Sequence, residues 1–131
     1  MSLFTGFKTE RNFISWFEIP VIDFDRAKAY YEKVFRIVMQ VEESGGYRRG
    51  FFPIYKGKVS GAICQGKGYE PMAKGPRLFL NCNPNLQHYL DRVEPSGGTV
   101  LVGKTMISPN AGFYAFTKDT EGNPIAFHSL K

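Results

Sequence analysis

Along residues 14–35, ISWFEIPVIDFDRAKAYYEKVF, the hydrophobic pattern changes period once. Up to Ile19 apolar and polar positions alternate, as a strand with one face on a core requires. Pro20 ends that run. Asp23 is a good helix N-cap, because its carboxylate can accept from the free N–H groups of a first turn. Phe24, Ala27, Tyr31 and Val34 then recur at helical spacing, and Tyr30 and Phe35 widen the stripe. Further strands are predicted at 37–41, 47–55 and 59–64, separated by turns at Gly45 and Gly46 and at 56–58. Residues 65–75, rich in Gly, Lys and Pro, carry no periodicity and read as a loop.

The second half repeats this order. Over 77–83, Leu78, Leu80 and Cys82 share one strand face, while Arg77, Phe79, Asn81 and Asn83 share the other. Asn85 is the N-cap candidate for a helix whose stripe is Leu86, Tyr89, Leu90 and Val93, stopped by Gly97 and Gly98. Strands follow at 99–102, 112–117 and 125–129, the last two joined by a hairpin at Glu121, Gly122 and Asn123. Asp23 and Asn85 stand about 60 residues apart in matching surroundings, which indicates a duplicated strand–helix–three-strand unit. Two copies are too few for a solenoid. They can close around a shared cavity or form an α+β sandwich with a filled core.

Composition narrows the class. With 131 residues, 43% hydrophobic and 22% charged, one globular domain is expected. The longest apolar runs fall short of a membrane span. Residues 1–12 hold no apolar stretch of signal-peptide length, so a cytoplasmic protein is expected. Cys64 and Cys82 sit among apolar neighbours, where buried free thiols are the usual outcome. The net charge of +5 is spread along the chain, its densest group being Arg48 and Arg49 in a predicted turn. Such scatter disfavours nucleic acid and favours anionic small ligands.

Three segments together resemble the vicinal oxygen chelate superfamily, which includes glyoxalase I, bleomycin-resistance proteins and extradiol dioxygenases. They are FEIPVIDFDRAKAYYEKVF, GPRLFLNCNPNLQHYLDRVEPSGGTVLVGKT and GFYAFTKDTEGNPIAFHS, the last being the most specific through Asp119-x-Glu121-Gly122-Asn123. The resemblance covers about residues 12–129 and points to the small glyoxalase-like bacterial members. It implies an α+β fold of two paired βαβββ modules forming a curved mixed sheet around a cleft, with helices outside. Module one would span about 12–64 and module two about 76–129, around the loop at 65–75. It also implies a homodimer. Arg36 stands where the family normally has Gly, so the first helix must end without the easy left-handed cap.

Metal-dependent members hold a divalent ion on His or Glu side chains. The positions implied here are Trp16, Leu78 or Phe79, and Ala126, while 59–64 offers only Ser60 and Cys64. The expectation is therefore no cofactor and no metal ligand; the alternative is displaced ligation of Zn, Ni, Fe or Mn by Glu18 and His128. Two donors fall short of the three usual in catalytic zinc sites.

Strand parity puts Trp16 and Glu18 on one face, and Ala126 and His128 on another. Glu18 is the candidate catalytic residue. A carboxylate on a central strand needs a partner, solvent or a task. Arg77 or His128 could pair with it, and a structural or ligand-orienting role ranks above general-base work because spacing reveals no second acid–base group. Trp16, Glu18, Arg77, Phe79, Asn81, Tyr114 and His128 are the candidate ligand-binding residues. Tyr47, Phe51 and Phe52 could add to the cleft, although aromatics at strand spacing are more often core. The function expected is metal-independent binding of an uncharged or anionic small molecule in an aromatic-lined cleft. The alternative is a metal-dependent lyase, isomerase or dioxygenase. A third reading is an interaction protein whose cleft its own side chains fill.

Overall fold

A computed structural model describes residues 12–131. Module one runs β1 (Trp16–Pro20), α1 (Phe24–Phe35), β2 (Gln40–Ser44), β3 (Tyr47–Phe51) and β4 (Ser60–Gln65). Module two runs β5 (Leu78–Asn81), α2 (Leu86–Leu90), a 3-10 turn (Glu94–Ser96), β6 (Thr99–Ser108), β7 (Gly112–Lys118) and β8 (Pro124–Ser129). Each module carries its own four-stranded mixed sheet, ordered β1-β4-β3-β2 and β5-β8-β7-β6. The first strand of each pairs parallel with the last, and the other pairs are antiparallel. This is the expected pair of βαβββ modules, with a helix on one face of each sheet and the opposite face left open.

Local chemistry sets the helices. The Asp23 carboxylate accepts from the Arg26 N–H, and Phe24, Ala27, Tyr30, Tyr31 and Val34 make the buried stripe of α1. Arg36 closes it at φ 54°, the left-handed cap that Gly usually supplies, and its N–H reaches the Glu32 carbonyl. In module two, Asn85 accepts from Gln87 N–H, but the α-helix stops at Leu90. Pro95 lacks the N–H that another α turn would use, so the chain tightens into the 3-10 turn instead. Val93 still reaches the core, fully buried beyond the helix end.

Several strand bounds differ from the sequence reading. The strand expected at 37–41 begins at Gln40, because Met39 turns inward and its N–H goes to Glu32. The strand expected at 47–55 ends at Phe51. Arg48 and Arg49 lie inside it and not in a turn. β6 continues six residues past 102 to Ser108, its register with β7 broken by shifts that the sequence pattern does not announce.

One core serves both modules. Ile19, Phe24, Tyr31 and Ile63 join Leu80, Leu86, Val93 and Phe127 in a single buried cluster. Phe35 links the halves, its ring 6.4 Å from Phe52, 5.4 Å from Tyr89 and 5.5 Å from Phe127. Phe52 therefore belongs to the core, packed also on Phe17 and Tyr31, and is no part of an open cleft.

The β7–β8 hairpin clamps the first turn of α1. Asp119 Oδ1 accepts from the N–H groups of Glu121 and Asn123, and Oδ2 accepts from Tyr31 Oη at 2.6 Å and Asn123 Nδ2 at 3.0 Å. Asn123 Nδ2 also donates to the Pro20 carbonyl at 2.7 Å. Glu121 Oε1 accepts from the N–H groups of Ile22 and Asp23, and Oε2 from Arg26 Nε at 2.8 Å and Thr120 Oγ1 at 2.9 Å. Burial alone would push the Glu121 carboxyl up. The Arg26 hydrogen bond and the backbone donors outweigh it and bring the pKa down to about 2.

Candidate functional site

Strand register defines what the open faces carry. On module one, Trp16 and Glu18 stand beside Ser60 and Ala62 of β4, with Phe51 and Arg49 next in line on β3. Trp16 packs on Phe51, ring centroids 5.9 Å apart. Glu18 accepts a 2.6 Å hydrogen bond from the Tyr69 hydroxyl, and Arg49 Nε lies 3.9 Å from its other oxygen. The Tyr69 phenol is held above its usual pKa first by that bond to Glu18. Cys64 is buried beneath the group; burial, then Glu18, pushes its thiol up to about 11, which keeps it a neutral thiol. Burial likewise pushes Cys82 up to about 12.

The expected partners of Glu18 are corrected by this geometry. Neither Arg77 nor His128 pairs with it; Tyr69 donates a hydrogen bond to it and Arg49 faces it as an ion pair at 3.9 Å. Arg77 is committed elsewhere, stacked over the Phe116 ring at 3.9 Å. His128 Nε2 sits 2.6 Å from the Ala111 carbonyl, tying β8 to the β6–β7 turn.

Module two presents a different surface. Phe79 and Asn81 of β5 register with Ala126 and His128 of β8, which register with Phe116 and Tyr114 of β7. Tyr114 lies 4.9 Å and Phe79 6.4 Å from Phe116, so Arg77 caps a three-ring cluster. Such a stack of guanidinium on an aromatic face is attractive on its own and leaves the Arg edge free to meet an anion. Asn81 turns back on the chain, its Oδ1 accepting from Asn83 N–H and Nδ2.

Between the modules, the edge of β1 faces β5 across a seam with a cavity at each end. One, about 370 Å³, is lined by Glu18, Ile19 and Pro20 on one side, Arg77 and Leu78 on the other, and is covered by the loop carrying Glu70, Met72 and Lys74. The other, about 650 Å³, lies between Phe13, Lys58 and Val59 and the strand Leu78–Asn81. Ile14, Phe17 and Leu78 line both, so the two are ends of one trough. The structure thus brings Glu18 and Arg77 to one cavity, and Phe79 and Asn81 to the other. Trp16, Tyr114 and His128 line neither. Arg49, Tyr69 and Phe116 are the neighbours that sequence reasoning missed; only the period-2 parity of Phe116 with Tyr114 hinted at one of them.

The metal implied by the family resemblance can be tested against these residues. Trp16, Phe79 and Ala126 offer no donor atom of the kind a divalent ion takes. Glu18 and His128 sit on different sheets with other partners. Among the described residues, no three His, Cys, Asp or Glu side chains come together as ligands. The donor set does not fit the group. No described helix is long and apolar enough to cross a membrane.

No protein-family model matches the chain, and no curated protein matches it. Solved structures do. A glyoxalase I variant from Zea mays superposes with a TM-score of 0.70 at 14% identity over 89% of this chain, which spans only 44% of that protein. A glyoxalase/bleomycin resistance protein from a Streptomyces species gives 0.67 at 21% identity, covering 87% of this chain and 97% of the other. An antibiotic binding protein from the same species gives 0.68 at 20%, covering 94% and 99%.

Proposed function

From a glyoxalase/bleomycin-resistance fold as premise, we propose that this chain is a metal-independent small-molecule binding protein. The observation that carries the reading is the replacement of donor atoms by aromatic surface. Trp16 and Phe79 remain 38% and 48% exposed at positions where metal-dependent relatives would carry ligands. Large aromatics left open beside a few polar groups are the ordinary makings of a ligand site. The ligand is uncharged or anionic, since Arg77 is stacked on the aromatic cluster and the net charge of +5 favours approach of anions. Glu18, fixed by Tyr69 and Arg49, orients the ligand. The antibiotic binding neighbour supports the reading by showing that this fold is used for binding.

The open faces of two copies, set against each other, would enclose the aromatic cluster, so the active form is a homodimer. A thermal-shift screen tests the binding claim, because anything that binds only the folded state must raise its stability. Planar aromatic carboxylates are expected to raise Tm, and cationic drugs to leave it unchanged. If no aromatic or apolar compound moves Tm, the reading fails. One equivalent of a single tightly held metal, found by mass spectrometry after equilibration with Zn, Ni, Fe and Mn, would instead restore the lyase, isomerase or dioxygenase alternative. Sedimentation velocity checks the dimer.

A further inference from the structure

The seam between the modules has a shape that the aromatic faces do not share. Ile14, Phe17 and Leu78 line both of its cavities, and its two ends carry different charged side chains. At the end under the loop stand two cations, Lys74 and Arg77. Of the two carboxylates there, Glu18 already faces Arg49 at 3.9 Å and accepts from the Tyr69 hydroxyl, which leaves Glu70 as the carboxylate facing Lys74 and Arg77. Along the trough the neighbours are apolar until Lys58 and Asn81 at the far mouth. We propose that the seam binds an elongated apolar molecule with one anionic head, a medium-chain acyl carboxylate, its head against Arg77 and Lys74 and its tail along Ile14, Phe17 and Leu78.

Three arguments favour this class. First, a five-residue strand spans roughly 16 Å at the usual rise, a length that an extended decanoate nearly fills. Secondly, the two sheets are not joined by a ladder, so the trough lies between two strand edges, and the same three apolar side chains, Ile14, Phe17 and Leu78, line it from one cavity to the other, as an elongated apolar tail requires. Thirdly, the Arg77 guanidinium is already flattened on Phe116, and its free edge can take a carboxylate with two parallel N–H donors.

The proposal rests on the binding reading above, and its test separates the two. Isothermal titration would compare decanoate, decanol, decyltrimethylammonium and benzoate on the intact protein. Decanoate is expected to bind, decanol about tenfold more weakly, and the ammonium not at all. Arg77→Met should weaken decanoate at least tenfold while leaving decanol unchanged. Ile14 is half exposed and outside the core, so Ile14→Trp should leave the fold intact while blocking the trough between its two cavities. That variant should lose decanoate and keep hexanoate. Equal binding of decanoate and decyltrimethylammonium, or an Ile14→Trp protein that still holds decanoate, would overturn the proposal. Benzoate binding without decanoate would overturn it too, while sparing the aromatic-face reading. Failure of every compound, in this titration and in the Tm screen, would end both.

Discussion

Module one and module two follow one strand–helix–three-strand plan but keep their stability in different places. α1 runs twelve residues with five buried, and closes both of its ends with its own side chain and backbone. α2 runs five residues with two buried, stopped short by Pro95. A helix that short contributes little without tertiary support. Module two compensates with its last hairpin, in which Glu121 bonds the N-cap of α1, Asp119 bonds Tyr31 within the helix and Asn123 bonds the Pro20 carbonyl at the end of β1. The open faces diverge as well: an ion pair with a phenol on module one, an arginine on three rings on module two. The two halves therefore share one backbone order while their helices and open faces carry different side chains.

The sharpest way to break this comparison is at the clamp. Asp119→Ala removes the acceptor for Tyr31 Oη, Asn123 Nδ2 and two backbone N–H groups, all in or beside the buried interior. A loss of about 3–5 kcal/mol is expected in urea denaturation. Loss of less than about 1 kcal/mol would mean that the hairpin does not carry the module interface.

Next in size is Gly61→Ala. A Cβ there would collide with the Phe17 carbonyl oxygen and come within 2.6 Å of the Phe17 ring. The expected cost is about 1–3 kcal/mol, read as a fall in Tm. Because Phe17 floors the trough, the variant should also weaken any ligand held there. A neutral Gly61→Ala would show that Phe17 can move freely.

Acid titration reads the clamp without mutation. The folded pKa of Glu121 lies at about 2, below its ordinary 4.5, so its stabilisation is complete above the unfolded value. It is lost as pH falls from about 4.5 through 2, by on the order of 2 kcal/mol. Glu121→Gln should flatten that part of the stability–pH curve, since the amide does not titrate. The same slope in both proteins would assign it to other carboxyls.

The smallest effect is expected on the open face of module two. Phe116→Leu removes the ring beneath Arg77, at a cost of about 0.5–1 kcal/mol in a partly exposed setting. The same change should weaken aromatic carboxylates severalfold in the Tm screen, which separates surface chemistry from fold support.

The strand faces were legible in the sequence because parity is a local property. Trp16 with Glu18, Phe79 with Asn81, and Ala126 with His128 share faces as period-2 counting puts them. Both N-caps were legible for the same reason, whereas Arg36 adopts the left-handed cap that its side chain led the sequence reading to discount. Contacts between distant segments were not. Tyr69 lies in a loop without periodicity, 51 residues from the Glu18 it bonds. Arg49 was hidden in a pair of arginines that reads as a turn. Glu121 and Asn123 have the composition of any hairpin, and nothing in their neighbourhood tells that they reach α1. The extra half of β6 was missed because Gly103, Lys104 and Thr105 interrupt the apolar alternation where the register shifts.

The reach of Glu121 back to Asp23 has a consequence for how the chain is made. The two residues stand 98 positions apart, which at ordinary rates of protein synthesis is roughly 5–20 s of translation. Throughout that interval the Ile22 and Asp23 N–H groups that lead into α1 lack the carboxylate that receives them in the fold. The hairpin that supplies it emerges only after α1 and every strand up to β7. A product cut short before residue 119 would retain most of the apolar core sequence yet lack its fastening, and would be a substrate for chaperones and proteases.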